Sequence, residues 1–266
     1  MKLMTDDRKN VEVYDLMLTL GRTHADDCSA LFDNIHNLVF HGDRIMTYAL
    51  ARYCNLETFY SDNLTTLDDL VFHACKKLSI VSMPRCSIIG YEVFGGCSNL
   101  REVHLDSCER IGERTFQNCK ALTYIHLPRC QYIGKGAFEG CSSLRAAYLP
   151  ECLVMYELTF SGCSELETVI APKCGHVCEL AFVYCPSIRR LIVSSRCRIN
   201  EFASVLAYGY VNVIYGMSPV DADRVWNDMH LEARVRYNPL PTENVRKIRI
   251  DTRYENGAIR CTVHDI

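Results

Sequence analysis

The sequence predicts an α/β solenoid of stacked 22-residue units, because three columns of identical residues recur at that spacing. One column is cysteine, the second is a phenylalanine three residues before each of those cysteines, and the third is a leucine that opens each unit. The columns are Cys75, Cys97, Cys119, Cys141, Cys163 and Cys185; Phe72, Phe94, Phe116, Phe138, Phe160 and Phe182; and Leu56, Leu78, Leu100, Leu122, Leu144 and Leu166. This period excludes a compact single-core fold, because one unit buries its apolar face only by stacking on its neighbours.

Each unit opens with a short strand. In the unit from Leu122 to Cys141, Ile125 and Leu127 are two residues apart, so their side chains point to the same side of an extended chain. Stacked units place such strands in parallel at a spacing of about 4.8 Å. We therefore expect a parallel β-sheet on the concave face of a curved solenoid, with about seven units over residues 35–215.

A second cysteine column follows each strand after a turn. It keeps the same 22-residue step, and only its last member is displaced by one residue. The members are Cys86, Cys108, Cys130, Cys152, Cys174 and the displaced Cys197. Two columns of repeats account for most of the sixteen cysteines in the chain.

Two stretches of the unit carry a family resemblance. The segment from Leu100 to Cys108 reads Leu-x-x-Val-x-Leu-x-x-Cys and resembles the leucine-rich repeat with cysteine in its Asn/Cys slot. The segment from Ile133 to Cys141 reads Ile-Gly-x-x-x-Phe-x-x-Cys and resembles the BspA-like subclass of that family. The resemblance covers residues 35–200 and implies a protein-binding solenoid. BspA-like proteins are best known as surface adhesion proteins.

Residues 1–34 are predicted to cap the first unit. Val13, Leu16, Met17 and Leu20 stand at helical spacing, and Leu31 follows a short polar interval. We expect one or two helices here.

Residues 216–266 are predicted to form a second cap of helix and β-hairpin. A final strand over 211–215 precedes Ser218, a helix N-cap, and the helix is expected to run to about Leu231, with Trp226 against the end of the solenoid. Residues 247–254 and 258–264 alternate like strands on either side of an Asn-Gly turn. A lone hairpin is marginal in water, so it is expected to pack on the capping helix or on a partner.

The cysteines allow three chemical interpretations besides packing: disulfides, metal ligation and nucleophilic catalysis. Buried free cysteine behaves as a small hydrophobe, and repeated units give it the same environment each time, so packed thiols are favoured. The metal candidate is the Cys174, His176, Cys178 group with Cys185 nearby. The catalytic candidates are Cys28, which is near His24 and Asp26, and Cys261, which is near His264. The sequence carries no phosphate-binding or hydrolase motif, so we expect no cofactor and no enzyme activity.

The candidate binding residues are those that point away from the core on the predicted strands. Aromatic and amphipathic side chains on a rigid sheet are typical of protein-binding surfaces, since they bury a large area at low entropic cost. The candidates are Thr58, Tyr60, Ser82, Glu102, His104, Tyr124, His126, Tyr148 and Arg190. The alternative is that these residues support the strands by cross-strand contacts or are covered by the tail of the chain itself.

Charge and the N-terminal sequence complete the functional hypothesis. With 29 Lys+Arg against 32 Asp+Glu, the whole-chain charge favours neither a nucleic acid nor an anionic membrane. The first ten residues lack a signal-peptide core, and no apolar run approaches membrane-span length, so we expect an intracellular, cytoplasmic protein. The hypothesis is a non-enzymatic scaffold or adaptor that binds a partner protein through its concave face within a larger assembly. The alternatives are a surface adhesion protein and the substrate-recognition module of a ubiquitin ligase.

Overall fold

The computed structural model describes residues 10–14, 35–42, 45, 47–51, 55–203, 211–229, 246–255 and 258–265. These residues form a parallel-sheet solenoid of about eight turns. One short strand per turn builds the main sheet, and neighbouring strands pair in parallel with a register of 22 residues, as Tyr124, Ala146 and Thr168 do. The predicted repeat and its parallel sheet are confirmed.

Within the described residues, the main sheet contains ten parallel strands and a C-terminal hairpin. Backbone pairing is interrupted once in the middle of this sheet, between the strand Glu102–His104 and the strand Tyr124–His126, but these two strands remain in contact. The parallel strands are β1 (Asn10–Tyr14), β2 (Asn37–Phe40), β3 (Thr58–Tyr60), β5 (Ile80–Ser82), β7 (Glu102–His104), β9 (Tyr124–His126), β11 (Ala146–Tyr148), β13 (Thr168–Ile170), β15 (Arg190–Val193) and β17 (Asn212–Tyr215).

A second set of two-residue strands forms on the return path of each turn. The first residue of each of these strands points outward. The second residue belongs to the core, except in the last strand, where Ile199 is half-buried and packs against the core. These strands are β4 (Thr66–Leu67), β6 (Ile88–Ile89), β8 (Arg110–Ile111), β10 (Tyr132–Ile133), β12 (Val154–Met155), β14 (His176–Val177) and β16 (Arg198–Ile199). We call the two sheets they form, which divide between β10 and β12, the return sheets.

A stack of phenylalanine rings runs through the core. Neighbouring rings from Phe72 to Phe182 lie 5.2 to 5.4 Å apart between centroids and are within 15° of parallel. Every one of these side chains is fully buried. The 22-residue period therefore brings identical rings into contact, which explains why phenylalanine recurs without a slip.

The two cysteine columns are packed thiols that also donate hydrogen bonds. In the first column each thiol donates to the carbonyl 25 residues earlier, as Cys119 does to Phe94 at 3.2 Å and Cys141 to Phe116 at 3.0 Å. In the second column the thiols from Cys86 to Cys174 each donate to the carbonyl two residues later, as Cys130 does to Tyr132 at 3.2 Å. Both column positions require a side chain that is small and apolar and can donate a weak hydrogen bond, and cysteine combines these properties.

Two positions of each turn adopt left-handed backbone geometry. One of them is glycine in several turns, such as Gly96 with φ 76°, but alanine in the preceding turn, where Ala74 has φ 60°. A Cβ costs energy in this conformation, whereas glycine adopts it freely.

We expect Gly96→Ala to lower the free energy of unfolding by about 1 kcal/mol, and Ala74→Gly to raise it by about 0.5 kcal/mol. A Cβ on Gly96 would meet nothing closer than the Cα of Ala74 at 3.7 Å, so the cost lies in the backbone and not in a clash. Urea unfolding of the two variants measures both changes. Opposite signs support the explanation, and a shared sign contradicts it.

The prediction of a helix in the N-terminal cap is wrong for the first residues of the predicted segment. Residues Asn10–Tyr14 form β1, which pairs in parallel with β2. Val11, Glu12 and Val13 alternate as a strand requires, and pairing with β2 outweighs the weak helical spacing of Val13 with later residues. Residues 15–34 lie outside the described part of the chain.

The C-terminal elements form as predicted but dock elsewhere. Helix α1 (Pro219–Met229) follows β17, and strands β18 (Arg246–Glu255) and β19 (Ala258–Asp265) form the antiparallel hairpin. Instead of docking on the helix, β18 of the hairpin pairs in parallel with β1 at the opposite end of the sheet. This pairing extends the sheet at its N-terminal edge, where β1 offers unpaired backbone groups.

Candidate functional site

The candidate site is the outer face of the main sheet, defined as the side opposite the phenylalanine stack. The middle residue of each three-residue strand points into the core, as Phe59 and Ile125 do, and the flanking residues point outward. Parallel pairing in register stacks the outward residues in two columns along the sheet. The structure thereby aligns all nine predicted binding residues on one face.

The N-terminal part of this face carries hydroxyl groups beside an aspartate. Thr58 donates a hydrogen bond from Oγ1 to Asn37 Oδ1 at 2.6 Å, and Tyr60 stands half-buried in the neighbouring column. Partial burial, and then the charge of Asp62, raises the pKa of the Tyr60 hydroxyl. Tyr60 therefore stays protonated and can donate a hydrogen bond at neutral pH. Ser82 is buried next to it in the column.

The middle of the face is polar and aromatic. Glu102 and His104 are both half-buried, with 3.9 Å between His104 Nε2 and Glu102 Oε2. Tyr124, on β9, is half-buried, and His126 on the same strand is more exposed. We call the outward residues of β3, β5, β7 and β9 the open part of the outer face. It offers hydrogen-bond donors and acceptors around aromatic rings, which suits a protein surface better than an apolar ligand.

The C-terminal part of the face is covered by α1. The outward residues Tyr148, Ile170 and Ile192 are buried and form one cluster with Ala222 of the helix. Half-buried residues complete the cluster: Ile214, Met217, Val225 and Trp226. We call Tyr148, Ile170 and Ile192 the covered stripe. For Tyr148 the structure therefore matches the alternative in which the tail of the chain covers a predicted binding residue.

The helix begins where its sequence predicts. The Ser218 hydroxyl accepts a hydrogen bond from the Asp221 amide at 3.1 Å and donates one to Asp221 Oδ2 at 2.7 Å.

At the C-terminal end of α1, Arg190 Nη1 lies 3.9 Å from Met229 Sδ, in the last turn of the helix. A cation at this end interacts favourably with the helix dipole. Arg190 thus supports the docked helix.

Three rings meet where the open and covered parts join. His126 lies 5.1 Å from Tyr148 and 5.7 Å from Trp226, and Tyr148 lies 5.1 Å from Trp226, between ring centroids. The expected position of Trp226 at the end of the solenoid is wrong, because the apolar stripe on the outer face provides a larger surface for the helix. We call these residues the ring cluster.

The ring cluster is expected to respond to pH. Burial against the other two rings lowers the pKa of His126 from its ordinary value of 6.5, although the charges of Asp106 and Asp223 oppose this shift. When α1 undocks, the part of that burial that Trp226 provides is lost. Docking is therefore strongest when His126 is neutral and weakens as the pH falls below 6.5.

Trp226 is the only tryptophan of the chain, so its fluorescence reports on the cluster directly. We expect a red shift or a change in intensity below pH 6.5 that is absent in His126→Phe. An identical pH profile in both proteins would contradict a role for His126.

The cysteine columns are chemically quiet. Burial raises the pKa of the Cys86 and Cys141 thiols to about 12 and that of Cys119 well above its ordinary value. These groups remain thiols at neutral pH and lack nucleophilic character. At the end of the second column, a hydrogen bond from Cys197 lowers the pKa of the Cys174 thiol.

The structure does not assemble the other predicted chemistry. Among the described residues, no group of three or more His, Cys, Asp or Glu side chains is placed to hold a metal ion, and the Cys174 thiol donates instead to the His176 carbonyl at 3.2 Å. Cys261 and His264 both belong to β19, three residues apart. Cys28 lies outside the described residues. Within those residues, no helix is long and apolar enough to cross a membrane.

Sequence reasoning missed the contribution of the helix to this face. The helical spacing of Ala222, Val225, Trp226 and Met229 places them on one side of α1, a signal that the sequence contains. Which surface the apolar side of α1 docks on depends on the direction that the chain takes after β17, where Gly216 turns it with φ 70°. No periodic pattern encodes that path.

Comparisons with known proteins agree with the repeat. The family model described as the BspA type leucine rich repeat region matches six copies, over residues 43–150 and 87–203. A Treponema pallidum (T. pallidum) leucine rich repeat protein is similar in structure, with 20% identity and a TM-score of 0.48 over 65% of this chain and 83% of its own. No curated protein sequence matches the chain.

Two further solved structures are similar. A leucine rich cell surface protein from Faecalibacterium prausnitzii A2-165 has 18% identity and a TM-score of 0.43, with coverage of 73% of this chain and 64% of its own. A leucine-rich repeat protein from Bacteroides ovatus ATCC 8483 has 20% identity and a TM-score of 0.42, with coverage of 66% and 60%. The chain spans less than two thirds of the length of these two proteins.

Proposed function

The chain belongs to the BspA-type leucine-rich-repeat family, whose model matches more than half of its residues, and on this premise we propose that it is a protein-binding scaffold. It binds a partner protein through the open part of the outer face, as a subunit or adaptor of a larger assembly, and is not an enzyme. The observation that carries the proposal is the set of outward aromatic and imidazole side chains on a rigid, regularly paired sheet.

The chemistry of the open part supports a protein partner. Tyr60, Tyr124 and His126 combine ring area with a polar tip, and Glu102 and His104 add charge and hydrogen-bonding capacity between them. Side chains of this kind dominate binding energy at protein interfaces. The sheet beneath is held by ladder bonds and a filled core, so little conformational entropy is lost when the partner binds.

A triple substitution tests the proposal. Tyr60→Ala, His104→Ala and Tyr124→Ala together are expected to weaken partner binding by at least about tenfold, since interface hot spots contribute 2 kcal/mol or more. The substitutions lie outside the core, so the unfolding transition of the solenoid should stay in place. Co-purification from the native source with quantitative mass spectrometry identifies the partner and measures its loss.

The return sheets offer a matched control. Tyr132→Ala, Tyr156→Ala and His176→Ala remove two tyrosines and one histidine, all half-buried, from the side of the solenoid that carries the return sheets. We expect full partner capture by this variant. Equal loss in both variants, or no loss in the first, contradicts binding through the outer face.

The proposal places the scaffold inside the cell, in the cytoplasm. Its support is the use of thiols as hydrogen-bond donors throughout the core, for example Cys97 to the Phe72 carbonyl at 3.1 Å, because a reducing compartment keeps thiols in that form. Fractionation of the native source, with labelling of thiols after unfolding, tests this location. Recovery of the protein on the cell surface would favour adhesion instead.

A further inference from the structure

The covered stripe is a hydrophobic surface already occupied by a helix of the same chain. Tyr148 is 4% exposed, and Ile170 and Ile192 are fully buried, whereas Ala222 is the only buried residue of α1. Val220 of the helix remains 68% exposed. Because only one residue of α1 is fully buried, we expect the helix to leave the sheet at a lower free-energy cost than a repeat leaves the core.

The core and the covered stripe are separate clusters. The main core includes the phenylalanine stack and both cysteine columns, while the covered stripe and α1 form a cluster of their own. Undocking of α1 would expose Tyr148, Ile170 and Ile192 as one apolar row and leave the repeats intact. An exposed apolar row of this kind, next to a polar rim, is typical of a protein-binding site.

We infer that the covered stripe is a binding site for an amphipathic helix of the partner protein, which α1 occupies in the free protein. This inference rests on the proposed function, because it assigns the binding element of the same partner. The occupant is a helix because one with apolar residues at positions i, i+3 and i+4, namely Ala222, Val225 and Trp226, already packs on the stripe.

Two further contacts define what the partner helix carries. The ring cluster accepts a tryptophan that packs against both His126 and Tyr148, whose ring centroids lie 5.7 and 5.1 Å from that of Trp226. Arg190 lies beside the last turn of α1 and favours the C-terminal end of a helix at that place. The partner helix therefore places an aromatic anchor in the ring cluster and its C-terminal end near Arg190. The open part then binds the remainder of the partner, because it continues the same two columns of outward residues.

The test uses the full chain and a labelled peptide with the sequence of residues 217–229. In the chain, Trp226→Ala removes the aromatic anchor of α1 and opens the stripe, and Asn227→Ala, on the exposed side of the helix, is the control. Fluorescence anisotropy measures peptide binding. We expect Trp226→Ala to bind the peptide at least about tenfold more tightly than the control, whose own helix competes at high effective concentration. A peptide with the Trp226→Ala change should lose this binding.

A second opening variant guards against an effect specific to one substitution. Ala222→Glu places a charge against the covered stripe, so it should also release α1 and increase peptide binding. Far-ultraviolet circular dichroism verifies that the repeats remain folded in both variants. Equal peptide binding by the opened and control chains overturns the inference. So does concentration-dependent dimerisation of the opened chains without peptide binding, since a second copy would then be the occupant.

The outcomes separate this inference from the proposed function. Partner capture is measured through Tyr60, His104 and Tyr124, which belong to the open part but lie outside the ring cluster and the covered stripe where the peptide binds. If partner capture still depends on those three residues but the peptide does not bind, only the helix site is contradicted and the proposed function stands. Loss of that dependence contradicts the proposed function, whatever the peptide does.

Discussion

Phe116→Ala is expected to lower the free energy of unfolding by about 3–5 kcal/mol, the range typical of a buried phenylalanine truncated to alanine. Phe116 lies between Phe94 at 5.2 Å and Phe138 at 5.4 Å, and all three rings are fully buried. Truncation opens a cavity in the middle of the stack, and the turns above and below cannot collapse into it because their backbones are paired. Urea unfolding followed by circular dichroism measures the loss.

Lys120→Ala, an exposed substitution in the same turn, is the control for this experiment. We expect it to change the free energy of unfolding by less than about 0.5 kcal/mol. A solenoid stabilised by its stacked rings should also lose cooperativity in Phe116→Ala, because each turn contacts only its neighbours and a weak turn separates the two halves. A loss below about 1 kcal/mol would contradict the importance of the stack.

Gly112→Ala is the second substitution with a large expected effect, a loss of about 3 kcal/mol. A Cβ on Gly112 would lie 2.5 Å from both the carbonyl carbon and the oxygen of Gly90 in the preceding turn. Backbone atoms cannot move aside as a flexible side chain can, so the two turns must separate. The hydrogen bond from the Gly112 amide to the Ile89 carbonyl, 2.8 Å long, would be lost as well.

Gly175→Ala is the matched control for this clash. A Cβ at Gly175 would meet only the Leu153 carbonyl oxygen, at 3.9 Å, which is an ordinary contact. We expect the free energy of unfolding to stay unchanged or to rise by up to about 1 kcal/mol, because alanine restricts the unfolded chain. Similar losses at Gly112 and Gly175 would contradict the steric explanation. Thermal and urea unfolding of the two variants decide between these outcomes.

The repeat was predictable because each turn places the same residue in the same environment. Cys119, Phe116 and Leu122 recur at 22 residues since a parallel stack makes identical neighbours of them, and the period alone indicates the sheet, its register and the outward columns. The hydrogen bond from the Cys119 thiol to Phe94 was not predictable. Spacing shows that a side chain is buried but not which carbonyl lies within reach of its thiol.

The ends of the chain were less predictable because they do not repeat. The pattern of β18 and β19 indicates a hairpin, yet its pairing with β1 joins residues more than 200 positions apart and depends on which sheet edge is open. Trp226 shows the same limit. Its helix is encoded locally by Ser218 and the apolar spacing, whereas its docking on Tyr148 depends on the shape of the folded sheet.

The candidate site follows the same division. Tyr60, His104 and Tyr124 were predictable as outward residues, because the inward positions of the strand are occupied by the core. That α1 covers Tyr148 and touches Arg190, and that His126 packs against two rings, became visible only in the folded chain. Sequence identifies the face, and the tertiary structure divides it into open and covered parts.

Photo-crosslinking from single positions tests the central claim, binding of a partner through the open part of the outer face, most directly. A photoreactive amino acid replaces Tyr124 on the open part in one variant and Tyr132 on the return sheets in another, both half-buried tyrosines. After irradiation in the native source, we expect position 124 to form a covalent adduct with one discrete partner and position 132 to form none. Adducts of equal yield from both positions, or an adduct from position 132 alone, would contradict the claim.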